Sequence, residues 1–201
     1  MNERFYALPP EKQQAIINAG YRVFSQNSYK NSPMSEIAAE AGISKSLLFH
    51  YFHNKKELYL FLWDKCAETT IEFLTRYGCY GQTELFESME RGMRAKMEII
   101  RIYPDMGNFT IKAFYEKDAG ISAAIQESYH RYYNLKADKT RLNLDPSQFY
   151  TRTGYSYDVS RNVLGFGGLS LGNGAVRQCG YRENGKGFHK TDGLLEKHLS
   201  A

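Results

Sequence analysis

The chain has 201 residues, 42% of them hydrophobic and 24% charged, with a formal net charge of +4 at pH 7. This length suffices for one small domain and one helical domain and excludes a larger architecture. No run of about 18 apolar residues is present to span a membrane and the N-terminus lacks a signal-peptide pattern, so we expect a cytoplasmic protein without a membrane segment.

The first predicted helix runs from Pro9 or Pro10 to about Asn27. A proline followed by Glu is a sound helix opening, because the fixed backbone angle of proline suits the first helical turn. Ile16 and Val23 belong to a set of apolar residues that recur at helical spacing. We expect this helix to cover the helix pair that follows it.

The most informative pattern is a pair of short helices joined by a glycine turn. Ser32 suits the N-cap of the first of these helices, and Pro33 suits its first helical position. Gly42 suits the left-handed position that ends a helix, and Ile43 can pack back onto the helix just closed. The chain therefore reverses direction at Gly42, and a second short helix follows.

The second short helix begins after Ser44 and ends near Phe52. Leu48 and Phe52 are four residues apart and can face the interior. The outward face is short, aromatic and weakly basic, which suits a DNA groove, and it comprises Lys45, Ser46, Phe49, His50 and Tyr51. Asn54 and Glu57 have the spacing of a capping box, which predicts a longer helix from Lys55 onward.

Further helices are predicted up to residue 145. The pattern that begins at Lys55 continues to Tyr77, and glycines break it between 78 and 81. Later helical patterns cover residues 83–102, 107–117 and 121–135. This part of the chain is therefore predicted to be all-α.

The composition changes abruptly after Phe149. Ten of the 17 glycines lie between Gly154 and Gly193, and no helical or strand period holds across them. One explanation is a natural glycine-rich tail, and another is a shifted reading frame. With wobble bases chosen freely, the neighbouring frame can encode an amphipathic segment that ends in LMDYWKNIY. We hypothesise a frameshift, which uninterrupted codons and matching peptide masses for the present tail would contradict.

The pattern EIAAEAGISKSLLFHYFHNKKELY, preceded by an amphipathic helix, resembles the DNA-binding domain of TetR-type transcriptional regulators. The resemblance covers about the first 60 residues, and it departs from the family at Phe49, where tyrosine is usual. It implies an all-α fold with a three-helix helix-turn-helix DNA-binding domain at 1–54. A helical ligand-binding and dimerisation domain follows at 55–149, and the Gly-rich tail occupies 150–201.

The resemblance also implies a repressor that binds double-stranded operator DNA and is released from a palindromic operator by a small apolar or aromatic ligand. The predicted DNA-contact residues are Ser32, Ser44, Lys45, Ser46, Phe49, His50, Tyr51 and Lys55. For Phe49, contact with a thymine methyl group and packing on the first helix both remain open. The predicted ligand-binding residues are Trp63, Phe86, Met89, Met93, Phe109 and Phe114, and no residue identifies the ligand.

Dimerisation is a separate question for this chain. In proteins of this type the last two helices pair with those of a second subunit, which sets the spacing of the recognition helices. A homodimer is therefore expected from the family, but the present tail puts it in doubt and predicts weak or absent operator binding. Residues 1–58 are only mildly basic, so affinity depends on a few placed contacts and on their duplication by dimerisation.

Two other classes of function were compared with a regulator. An enzyme, a cofactor and a metal site are not expected, because the five histidines and three cysteines are scattered without a nucleophile or metal-ligand spacing. A ligand-independent architectural or division-linked DNA-binding protein with the same N-terminal domain is the stronger alternative. Such a protein would occupy many chromosomal sites and would not respond to small molecules.

Overall fold

The computed structural model describes the backbone of residues 3–141 and the side chains of residues 3–84 and 86–132. Within that part the chain forms only helices and connecting turns, so the predicted all-α class is confirmed. The predicted Gly-rich tail and the reading-frame hypothesis lie outside the described residues. The helices are α1 (Glu3–Tyr6), α2 (Pro10–Gln26), α3 (Met34–Glu40), α4 (Lys45–Tyr51), α5 (Lys55–Arg76), α6 (Leu85–Ile102), α7 (Met106–Phe114) and α8 (Ala119–Arg141).

The predicted helix bounds agree with the structure to within a few residues, apart from the C-terminal end of α8. Two short elements were not predicted, namely α1 and a 3₁₀ turn at Cys79–Gly81. Helix α1 has four residues, which is too short to show a helical period. None of the described helices is long and apolar enough to cross a membrane.

Helix α2 lies at the centre of the described fold. Its buried side includes Ile16, Val23 and Phe24, as the apolar spacing predicted. A Cβ atom at Gly20 would lie 2.5 Å from Cδ1 of Leu62, so glycine at this position permits the close approach of α2 to α5. This contact explains how α5 packs closely against α2.

The core continues from α2 into α7 through a group of aromatic rings. The ring centroid of Phe109 lies 5.3 Å from that of Tyr21 and 5.1 Å from that of Tyr59. Tyr21 is buried and its hydroxyl donates to the Leu62 carbonyl at 3.2 Å. Burial raises the pKa of Tyr21, so the phenol stays neutral. The core therefore runs across the predicted domain boundary at residue 54.

Polar contacts reinforce the junction between α2 and the segment that joins α6 to α7. The side-chain amide of Asn18 donates to the Ile102 carbonyl at 3.0 Å, and that of Gln14 donates to the same carbonyl at 3.3 Å. The Tyr29 amide donates to Oε2 of Glu116 at 3.1 Å. These bonds join α2 and the loop after it to residues far away in sequence, at the C-terminal end of α6 and just after α7.

Candidate nucleic-acid interface

The turn between α3 and α4 has the geometry of a Schellman motif. Gly42 has φ of 65°, a left-handed conformation that favours glycine. Its amide donates to the Ala39 carbonyl at 3.0 Å, and the Ile43 amide donates to the Ala38 carbonyl at 2.9 Å. The predicted glycine turn is therefore confirmed, and it determines where α4 begins.

Helix α4 is capped at its start and anchored from below. Oγ of Ser44 accepts a hydrogen bond from the Leu47 amide at 3.1 Å, which satisfies one free amide of the first turn. Leu48 and Phe52 are completely buried, as their spacing predicted. These interactions leave the opposite side of a short helix exposed in a defined orientation.

Helix α1 packs against the buried side of α4 at its C-terminal end. The ring of Phe5 lies 5.2 Å from that of Phe52 and 5.1 Å from that of Phe61, measured between centroids. Phe5 is completely buried by these contacts. The sequence interpretation missed this element, although an adjacent aromatic pair ahead of Pro9 was a signal that the N-terminus packs on the core.

The exposed side of α4 combines positive charge, hydroxyl groups and an aromatic ring. Lys45, Ser46 and His50 are exposed, and 36% of the Phe49 surface is accessible. Nζ of Lys45 lies 5.9 Å from the ring centroid of Phe49, so the lysine covers part of that ring. These four predicted residues are thus brought together on one surface.

Arg4 adds a second cation to this surface. Its Nη1 atom lies 3.2 Å from Nδ1 of His50, and both residues are exposed. The guanidinium only donates hydrogen bonds, so His50 acts as the acceptor in this contact. Sequence reasoning did not select Arg4, because it is separated from His50 by 46 positions and no local pattern connects them.

Two predicted DNA-contact residues require correction. Ser32 is completely buried and its hydroxyl donates to the Ser28 carbonyl at 2.9 Å. It does not cap α3, whose N-cap residue is Pro33 without a side-chain cap bond. Tyr51 was predicted to face outward, but only 9% of it is exposed. It follows Leu48 by three residues and so shares the buried side of α4, with its ring near Phe5.

The start of α5 confirms the predicted cap with one difference. Oδ1 of Asn54 accepts a hydrogen bond from the Glu57 amide at 2.9 Å. A capping box would return the Glu57 carboxylate to the Asn54 amide, whereas Oε2 of Glu57 accepts from the amide of His53 at 3.0 Å. The reciprocal bond is therefore displaced by one residue towards the N-terminus.

Lys55 is held against the loop between α2 and α3. Its ammonium donates to the Lys30 carbonyl at 3.0 Å and lies 4.7 Å from the ring centroid of Tyr29. Burial raises the pKa of Tyr29, and the carboxylates of Asp118 and Glu116 raise it further, so the ring stays uncharged. These contacts hold a lysine at the positive end of α5.

The six predicted ligand-binding residues occupy very different environments. Phe109 is completely buried in the aromatic core, whereas Phe86 and Met93 are 82% and 63% exposed. Trp63 is buried, and its indole N–H has no hydrogen-bond partner among the described residues. An enclosed pocket walled by Phe86 and Met93 is therefore not formed by the described residues, and Met89 is exposed as well.

A surface cleft of about 390 Å³ lies beside α6. It shares no residue with the predicted ligand set and is mainly charged, being lined by Tyr77, Glu87, Glu90, Arg91 and Arg94. The ligand-binding residues thus stay a prediction.

Comparison with known proteins agrees with the geometry of the helix pair. The model of the family "Bacterial regulatory proteins, tetR family" matches residues 16–61. The chain is 38% identical over 53 residues to the HTH-type transcriptional regulator BetI of Agrobacterium fabrum, an alignment that covers 26% of each protein. It is 24% identical over 144 residues to the biofilm operon regulator IcaR of Staphylococcus epidermidis, covering 67% of this chain and 74% of IcaR.

A solved structure extends the likeness beyond the helix pair. A TetR family transcriptional regulator from Chloroflexus aurantiacus superposes with a TM-score of 0.51 and 25% identity, over 68% of this chain and 63% of that one. The family model matches the region that contains the helix pair, and the solved structure matches the helices that follow it as well. The helix-turn-helix region of this chain, and the fold of the helices that follow it, are therefore similar to those of bacterial transcriptional regulators of the TetR family.

Proposed function

We propose that this protein is a repressor that binds a palindromic operator through the exposed side of α4 and is released by a small apolar or aromatic ligand. The observation that carries the proposal is a short helix capped by Ser44 and anchored by Leu48, with its polar and aromatic side exposed. A helix presented in this way fits the major groove. The similarity to IcaR, a negative transcriptional regulator of a biofilm operon, supports repression.

Four exposed residues of α4 have chemically distinct roles in this proposal. Lys45 contacts a phosphate, and Ser46 offers a hydroxyl to a phosphate or a base edge. The exposed part of Phe49 contacts a thymine methyl group, while His50 offers a ring nitrogen to the DNA. These contacts specify the sequence and orientation of the operator.

Lys55 acts as a second phosphate contact. Its bond to the Lys30 carbonyl uses one of three ammonium donors. The two others remain for a phosphate at the N-terminus of α5, where the helix dipole also favours an anion. Held by Tyr29, the side chain loses little further conformational freedom on binding.

The test is selection of operators from a random pool of double-stranded oligonucleotides, with the full chain fused to a dimerising partner. We expect enrichment of a palindromic sequence, and loss of that enrichment for His50→Ala. The matched control is His130→Ala, an exposed histidine on α8. Recovery of no preferred sequence would overturn the proposal.

Ligand release requires a connection between the later helices and α4. The hydrogen bonds from α2 to Ile102, and the rings around Phe109, connect the later helices to α2. Helix α2 packs against α3, and α3 packs against α4. A ligand that favours one arrangement of these helices would change DNA affinity, typically by about 1–3 kcal/mol. The unpartnered indole N–H of Trp63 further favours a ligand that carries a hydrogen-bond acceptor.

Tryptophan fluorescence tests ligand binding directly, because Trp63 is the single tryptophan of the chain. An inducing compound should change this fluorescence and lower operator affinity over the same concentration range. A compound that lowers operator affinity while leaving the fluorescence unchanged would contradict the assignment of Trp63.

A second candidate is DNA binding without a ligand, in an architectural or division-linked role. The exposure of Phe86 and Met93 favours it, because these residues do not enclose a cavity with other described residues. Mapping bound chromosomal sites discriminates the two. Few sites near the chain's own gene indicate a repressor, whereas many dispersed sites indicate an architectural protein.

A further inference from the structure

Arg4 differs from the other arginines whose side chains the structure describes. The others each form an ion pair with a carboxylate, and they are Arg22, Arg76, Arg91, Arg94, Arg101 and Arg131. Arg4 forms no ion pair with any described side chain, and its Nη1 atom lies 3.2 Å from Nδ1 and 3.4 Å from Nε2 of His50. Its positive charge is therefore not neutralised by the part of the protein that the structure describes.

The backbone of Arg4 is held against the core by its neighbours. The adjacent Phe5 is completely buried, and its ring packs on that of Phe52. The side-chain amide of Gln13 donates to the Tyr6 carbonyl at 3.2 Å, which ties the end of α1 to α2. Arg4 itself is exposed. Helix α1 thus presents a guanidinium group to solvent at a fixed position beside α4.

Arg4 and Lys45 place positive charge towards opposite ends of α4. Lys45 is the first residue of this helix, whereas His50, which Arg4 contacts, is the last but one. A helix of seven residues is about 10 Å long and fits within a major groove about 12 Å wide. Phosphates line the walls of that groove. A guanidinium that reaches α4 from a separate helix therefore meets a phosphate before it meets a base edge.

From this placement we infer that Arg4 is a further DNA-contact residue, whose guanidinium binds a phosphate at the edge of the groove beside His50. The inference rests on the proposed function, in which α4 enters the groove. It adds to the interface a residue that belongs to none of the three helices of the helix-turn-helix domain. Lys45 and Arg4 then bind the DNA backbone on either side of the residues that face the bases.

The contact with His50 leaves the binding edge of the guanidinium available. It uses the Nη1 atom alone, so the N–H groups on Nε and Nη2 remain for two parallel bonds to phosphate oxygens. Arg101 uses this same edge for the Glu98 carboxylate, with Nε at 3.0 Å and Nη2 at 2.6 Å from its oxygens. Because His50 already restrains the Arg4 side chain, less conformational freedom is lost when a phosphate binds.

Anisotropy titrations across a salt series test the phosphate contact, with the full chain fused to a dimerising partner. Arg4→Ala should reduce the slope of log affinity against log salt concentration by about 1 for each protomer. It should also weaken binding to the preferred duplex and to a scrambled duplex by the same factor, because a phosphate contact carries no sequence information. Arg4→Lys retains the charge and should recover most of the slope.

Arg76→Ala is the matched control. Arg76 is exposed, pairs with Glu72 and is the last residue of α5, whereas Lys55 is the first. This variant should keep the wild-type slope. An unchanged slope for Arg4→Ala would overturn the inference while the proposed function of α4 stands. Altered preference at one base pair with an unchanged slope would show a base contact and would contradict the phosphate contact. A wild-type fusion that binds no duplex would refute both.

Nuclear magnetic resonance of the free chain tests the contact that places Arg4, without DNA. The ¹⁵N chemical shifts of the His50 imidazole should change in Arg4→Ala, because a ring nitrogen loses its hydrogen-bond donor. The same shifts should be unchanged in Arg76→Ala. If Arg4→Ala left the His50 shifts at their wild-type values, Arg4 would not lie beside α4 in solution. The inference would then fail whether or not the protein binds an operator.

Discussion

Helices α4 and α6 both present side chains to solvent, but they are built in different ways. Helix α4 is capped by Ser44 and anchored by Leu48, and its exposed side mixes charge, hydroxyl and ring. Helix α6 has Glu84 as its N-cap residue without a side-chain cap bond, and its exposed side carries five large apolar residues. The first surface suits a charged, wet nucleic acid, and the second suits a partner that excludes water.

The difference shows that exposure alone does not identify a functional surface. Phe49 and Met93 are both accessible, yet Lys45 lies beside the former and other apolar residues lie beside the latter. The chemistry of the neighbours decides what each surface binds. The experiments below test two properties of α4, namely that it is anchored firmly on the core and that its exposed side chains contact DNA.

The largest expected effect comes from the anchor of α4. Leu48→Ala should lower the free energy of unfolding by about 2–5 kcal/mol, because Leu48 is completely buried. Leu47→Ala, at the adjacent residue with 37% exposure, should lower it by less than about 1 kcal/mol. Denaturant unfolding measures both changes. Equal losses would show that α4 is not anchored on one side.

The second-largest expected effect comes from the glycine turn between α3 and α4. Gly42→Ala should lower the free energy of unfolding by about 1–2 kcal/mol, because L-residues disfavour the left-handed conformation. A Cβ atom there meets nothing within 4 Å, so the effect is confined to the backbone. Gly107→Ala in α7, where a Cβ atom also meets nothing within 4 Å, should instead stabilise slightly. Thermal unfolding of the two variants should therefore shift in opposite directions.

Two serines near the start of α4 are expected to affect different properties, one the stability of the protein and the other its binding to DNA. Ser44→Ala should lower the free energy of unfolding by about 1 kcal/mol through loss of the bond from the Leu47 amide. Ser46→Ala should leave stability within about 0.5 kcal/mol and weaken operator binding. Thermal unfolding and fluorescence anisotropy measure the two properties. A Ser46→Ala variant with unchanged affinity would remove Ser46 from the interface.

The smallest effect is electrostatic. Lys45→Ala should reduce the slope of log affinity against log salt concentration by about 1 for each protomer, because one phosphate contact is lost. Lys112→Ala, an exposed lysine of α7, should leave the slope unchanged. Anisotropy titrations across a salt series measure it. Identical slopes for both variants would place Lys45 outside the DNA contact.

Much of the helix pair could be predicted because its determinants are local. The turn at Gly42 and the cap at Asn54 are closed by hydrogen bonds between residues at most five apart. The buried pair Leu48 and Phe52 follows from helical periodicity. Tyr51 was predicted incorrectly, because the buried side of α4 is wider than that pair alone indicates. Its ring is covered by Phe5, which lies far away in sequence.

The sequence by itself determined the helical class and the positions of α3 and α4, because capping and periodicity operate within a few turns of chain. Only the tertiary structure decided which side chains reach solvent. It buried Ser32, brought Arg4 to His50, closed the core between α2 and α7 and left apolar side chains of α6 exposed. These outcomes depend on packing between segments distant in sequence, and a local pattern does not contain that information.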